Sequence, residues 1–79
     1  MGNQNQNWQG EFVALDFDQL AEECPELDSF RGEEIFNTYG RVCEVAHHHA
    51  REYEYELHHS YRNPYSGIVF VFKRIGGHQ

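Results

Sequence analysis

From Glu11 to Phe17 the apolar positions alternate, with Phe12, Ala14 and Asp16 on one side and Val13, Leu15 and Phe17 on the other. A period of two predicts a strand that turns one face to a core. Asp16 stands three residues before Gln19, the spacing of a capping box, and Leu20, Ala21 and Cys24 follow at helical intervals. This predicts a short helix that Pro25 stops. Pro25 to Asp28 reads as a turn or a single helical turn, after which Asp28 or Ser29 can open a second helix.

The second helix carries the main ambiguity. Ile35, Tyr39, Val42, Ala46, His49, Tyr53 and Leu57 recur at spacings of four and three, an amphipathic helical stripe. Yet Glu52 to Leu57 alternates strictly as Glu-Tyr-Glu-Tyr-Glu-Leu, which is the pattern of a half-buried strand with Tyr53, Tyr55 and Leu57 inward. We expect a helix from about Gly32 to about His48 and a strand from about Glu52 to Tyr61. Asn63 to Gly67 is a strong turn signal, and Gly67 to Ile75 is rich in β-branched and aromatic residues, so a partner strand follows directly.

The expected fold is α+β: a small three-stranded, mostly antiparallel sheet with two helices on one face, in the order β-α-α-β-β. Ile68 to Phe72 is apolar on both faces and belongs at the centre of the sheet, with Phe70 in the core. If the helix instead runs on to Leu57, the fold becomes mainly helical with a C-terminal β-hairpin. Residues 1–9 read as a flexible polar tail with Trp8 as its anchor, and residues 10–79 as a single domain.

Composition bears on how that domain is held together. In 79 residues the apolar share is 39%, and 15% of the chain is Phe, Trp or Tyr, so the core is expected to rest on a few large rings. A core of this size supplies only ~3–5 kcal/mol, which makes a homodimer a natural supplement. The first residues lack a cationic start and an apolar stretch, and the longest apolar run, Ile68 to Phe72, is far short of a membrane span. A cytoplasmic protein is expected, with Cys24 and Cys43 as free thiols rather than a bridge.

Charge changes the picture more. The net charge is −7, which argues against direct nucleic-acid binding and against an anionic membrane surface. Nine acidic residues and one basic residue lie between Glu11 and Glu34, whereas Leu57 to Gln79 holds Arg62, Lys73 and Arg74 and no acid. Asp16, Asp18, Glu22, Glu23, Glu26, Asp28, Glu33 and Glu34 are therefore the candidate partner-binding residues, an electrostatic bait for a protein with a basic surface. The plainer explanation is a solvated face that keeps a small protein in solution. A secondary candidate surface is Tyr55, Tyr61, Arg62 and Tyr65, since Tyr and Arg are common interface anchors.

Candidate chemistry is sparse. There is no Gly-rich phosphate loop, Cys-x-x-Cys, nucleophile elbow or His-Glu-x-x-His. Six histidines include His47-His48-His49 and His58-His59. On a continuous helix Glu44, His48 and Glu52 would share one face and offer a weak metal site. The simpler expectation has no cofactor, His47 and His48 facing solvent, and His49 a hydrogen-bonded residue of the apolar face. Arg41 and His47, with His58, His59, Tyr61, Arg62, Lys73 and Arg74 on the hairpin, are residue types that can cleave RNA. The order strand, helices, hairpin, with Tyr61-Arg62 ahead of Gly67 to Arg74, resembles the small RelE-type messenger-cleaving toxins over the last third of the chain. That resemblance implies a ribonuclease using His and Arg of the hairpin. Those toxins are basic, and this chain departs from them in being acidic.

The expectation that ranks first is a non-enzymatic protein-protein interaction module, an acidic inhibitor or nucleic-acid mimic of the kind phages and mobile elements encode. A toxin-type ribonuclease and a metal-binding structural domain are the alternatives.

Overall fold

A computed structural model describes residues 7–31, 38–65 and 67–76. The chain runs β1 (Phe12–Asp16), α1 (Phe17–Glu23), α2 (Pro25–Asp28), α3 (Tyr39–Arg51), β2 (Tyr55–Asn63) and β3 (Gly67–Arg74). The strands form one antiparallel sheet in the order β1-β3-β2. This is the α+β arrangement that the alternations imply, with the apolar β3 at its centre.

The local signals act where they stand. Asp16 caps α1 by accepting from the Gln19 N–H at 2.8 Å, and the Gln19 side chain returns a bond to the Asp16 N–H, so the capping box is complete. Pro25 ends α1 and occupies the first turn of α2, where a missing N–H costs nothing. The start expected for the long helix, from Gly32, lies partly outside the described residues. Its C-terminal end at Arg51 decides the ambiguous stretch in favour of helix then strand. Glu52 to Glu54 turn the chain, with Glu54 at a φ of 68°, so β2 starts three residues later than the alternation suggests. Asn63 Oδ1 accepts the Tyr65 N–H at 2.8 Å, and Gly67 takes a φ of +84° as β3 opens. Glycine adopts that conformation without a Cβ clash.

One face of the sheet carries the core. Val13 and Leu15 of β1, Ile68, Phe70 and Phe72 of β3 and Tyr55 of β2 pack with Leu20, Ala21, Leu27, Val42, Ala46 and Ala50 of the helices. Tyr55, Phe70 and Phe72 are the largest fully buried side chains, so the core does rest on rings. Each such ring contributes roughly 1.5–3 kcal/mol by leaving water. The opposite face of the sheet has no described helix over it. Phe12 and Tyr61 stand there with 52% and 47% of their surface exposed. No described helix is long and apolar enough to cross a membrane.

Candidate functional site

The eight acidic candidates do not form one uniform face. Asp18, Glu22, Glu26 and Asp28 are exposed on α1 and α2. Arg31 sits between two of them, its guanidinium 2.6 Å from Asp18 Oδ1 and 2.7 Å from Asp28 Oδ1, and its cationic carbon 5.3 Å from the Phe17 ring centroid. Four carboxylates against one guanidinium leave this side strongly negative, and among the described residues Glu22 and Glu26 have no ion-pair partner. Asp16 is committed to its cap. Glu33 and Glu34 lie outside the described residues.

Glu23 departs from the sequence reading, which put it on display. Its carboxylate is turned inward and its side chain keeps 13% exposure. Oε1 accepts from the indole Nε1–H of Trp8 at 2.8 Å and lies 3.0 Å from His49 Nε2, while Oε2 accepts from the Asn7 amide at 2.8 Å. An ionised carboxylate only accepts, so His49 presents Nε2–H to it. Burial alone would push the Glu23 carboxyl up, but the donors His49, Asn7 and Trp8 outweigh it and hold the group below its ordinary range. His49 is the hydrogen-bonded residue expected on the apolar face. Trp8 completes the knot, stacked on Tyr53 with centroids 5.1 Å apart and 2° between the planes.

The secondary tyrosine surface divides. Tyr55 is 2% exposed, and its hydroxyl donates to the Gly10 carbonyl at 2.5 Å, so it belongs to the core and not to a contact surface. Tyr61, Arg62 and Tyr65 are exposed, Tyr65 almost completely, at the hairpin end. On the open face a row of rings continues from Tyr61. His59 lies 6.2 Å from Tyr61, His58 5.0 Å from His59, and Phe12 5.7 Å from His58, with Lys73 Nζ 5.9 Å from the Phe12 centroid. Alternation marks Phe12 as outward, but only the sheet order brings it near the histidines of β2.

The metal candidates are spread along α3 and its cap, and the ribonuclease candidates over both faces of the sheet. Glu44 and His48 are exposed on α3, but Glu52 is the cap beyond its end, and among the described residues no three His, Cys, Asp or Glu side chains converge to hold a metal. A shallow cleft of about 200 Å³ gathers Cys24, Glu26, Val45, His48, His49 and Glu52, and burial pushes the Cys24 thiol up, away from the reactive thiolate. His47, expected to face solvent, is half-buried and accepts the Leu57 N–H on Nδ1 at 3.2 Å. It sits with Arg41 on α3, in the helical layer, whereas His58, His59 and Tyr61 line the opposite face. The sheet therefore separates His58, His59, Tyr61 and Lys73 from Arg41 and His47, whereas Arg62 and Arg74, opposite Ile68 and Tyr55, fall on the helical side. Nothing in the chain marks His47 for its role, because the bond depends on a bulge between Leu57 and His59. In comparisons with known proteins, the chain matches no family model, no curated protein and no solved structure.

Proposed function

We propose that this chain is a non-enzymatic interaction module that binds a protein with a basic surface through the α1–α2 side, as an acidic inhibitor or nucleic-acid mimic of the cytoplasm would. The observation that carries the reading is the exposed group Asp18, Glu22, Glu26 and Asp28, which a single Arg31 offsets. Carboxylates held on short helices present charge at fixed spacing, and a field of one sign steers a complementary surface into contact. The capping box and the Trp8 knot brace α1 at both ends, which keeps that spacing rigid.

The test is charge reversal at positions that have no structural duty. Glu22→Lys with Glu26→Lys changes the local charge by four units and leaves Glu23 in its knot. A partner recovered from a lysate of the source organism and identified by mass spectrometry should bind this variant about tenfold more weakly or worse, mainly through slower association at low salt. Reversal of Arg62 to Glu on the hairpin should leave the affinity close to wild type. Equal affinity of the Glu22, Glu26 variant and wild type at low salt overturns the reading.

A further inference from the structure

We propose that the outer edge of β1 is a docking site for an extended, basic segment of a partner protein, which joins the sheet as a fourth strand. The proposal rests on the acidic-module reading above and names the form the partner takes.

The phase of the β1–β3 ladder shows what the edge offers. The Arg74 N–H donates to the Glu11 carbonyl at 2.8 Å, and Phe12 to Asp16 lie opposite Lys73 to Val69. The N–H and C=O groups of Val13 and Leu15 therefore turn toward β3, and those of Phe12 and Ala14 turn outward. No described residue takes up these outward groups. The next outward donor, the Asp16 N–H, is bonded to Gln19 Oε1 at 3.0 Å, so the capping box closes the edge at its far end. Among the described residues, what remains is a short template of two donors and two acceptors, with the half-exposed Phe12 ring above it.

The two edges of the sheet differ in how they are treated. Along β2 the ladder is broken by the bulge at His58, and the outward Leu57 N–H is covered by His47 from α3. Such devices blunt an edge against added strands. β1 is regular, has no bulge, lysine or proline, and reads Phe-Val-Ala-Leu-Asp.

Charge selects the occupant. A strand added here has one face over Phe12 and Ala14 and the other toward the helical layer, where α1 exposes Asp18 and Glu22 directly after β1. Lysine or arginine at alternate positions would meet Glu22 and the outer side of Asp18, which Arg31 already pairs, and apolar residues between them would meet Phe12. A second copy fits less well, because two-fold pairing of β1 with itself brings two α1 helices together, acid against acid.

Titration of the full chain with synthetic eight-residue peptides tests this. One peptide alternates lysine and valine, a second alternates glutamate and valine, and two further lysine-valine peptides are N-methylated at either the odd or the even residues. Amide shifts and calorimetry report binding. The lysine-valine peptide should bind with shifts centred on Phe12 to Ala14, the glutamate-valine peptide should not, and one N-methylated peptide should lose about tenfold or more in affinity while the other keeps it. Ala14→Pro removes an outward N–H, which an edge strand tolerates, and should cause a comparable loss with the ladder to β3 intact. The methylated peptides keep the test valid should that variant fail to fold. Salt-sensitive binding indifferent to methylation and to Ala14→Pro overturns strand addition and leaves the acidic-module reading standing. No binding of the lysine-valine peptide, or concentration-dependent dimerisation of the free chain that Ala14→Pro abolishes, also overturns it. In the latter case the edge belongs to a second copy.

Discussion

The Trp8 indole N–H donates to Glu23 Oε1 at 2.8 Å, and the same oxygen lies 3.0 Å from His49 Nε2, so one carboxylate ties the start of the described chain to α1 and α3. Net of its burial, Glu23 is held below the ordinary carboxyl value of 4.5. A carboxyl group whose folded value is depressed adds stability that is fully present above its unfolded value and is lost as pH falls through the folded one. Thermal stability of the wild type should therefore drop below about pH 4.5, and Glu23→Gln should be less stable at neutral pH and show a shallower decline over the acid range. Parallel melting-temperature profiles for the two proteins between about pH 6 and about pH 3 would show that the knot does not carry this linkage.

Trp8 contributes through two separable contacts. Its ring packs on Tyr53, Tyr55 and Phe72 with centroids 5.0 to 5.3 Å away, and its N–H serves Glu23. Trp8→Phe keeps much of the packing and loses the donor, at a cost of ~1–2 kcal/mol. Trp8→Ala loses both, at ~3–5 kcal/mol, which rivals the whole stability of a domain this small. Urea denaturation should rank the three proteins in that order, and equal midpoints for Trp8→Phe and Trp8→Ala would assign the whole effect to the hydrogen bond.

Most of the fold is legible in the sequence because its signals are local. The alternation of β1, the Asp16 and Gln19 pair, Pro25 and the Asn63 to Gly67 turn each act within a few residues. The run of β3, apolar on both faces, likewise points to the centre of the sheet, where side chains of the neighbouring strands flank it on either face. The site is less legible. Glu23 and Glu22 are adjacent and chemically equal in the sequence, and only the arrival of Trp8 and His49 from distant positions turns one inward. Tyr55 shows the same limit, since its alternation gives the inward face but not the hydroxyl bond to Gly10 that fixes it there. His47 looks like part of a solvated histidine run until a bulge ten residues on delivers the Leu57 N–H to it.

The central strand gives a comparison between the two faces of one sheet. Phe70 is fully buried between the sheet and the helices, whereas Val71 beside it is half-buried on the open face. Phe70→Ala should cost ~3–5 kcal/mol and leave much of the protein unfolded, and Val71→Ala ~1 kcal/mol or less. Circular dichroism with urea titration measures both. A comparable loss at the two positions would mean that the open face is covered in the folded protein.

The bond between His47 and Leu57 predicts a local effect with little global cost. Leu57 lies at the residue before the bulge of an edge strand, so its outward N–H has His47 Nδ1 in place of a neighbouring strand. His47→Ala removes the acceptor and leaves the packing of Ala46 and Ala50 untouched, since those side chains face the core and His47 flanks it. The net loss should be ~0.5–1.5 kcal/mol, the range for one hydrogen bond exchanged with water. Hydrogen exchange at the Leu57 amide should quicken by about tenfold relative to the Val42 and Ala46 amides of α3, because opening there no longer has to break the bond. If the Leu57 amide keeps its wild-type protection in His47→Ala, then His47 does not guard the β2 edge, and the contrast between a guarded β2 and a β1 whose outward groups no described residue takes up loses its first half.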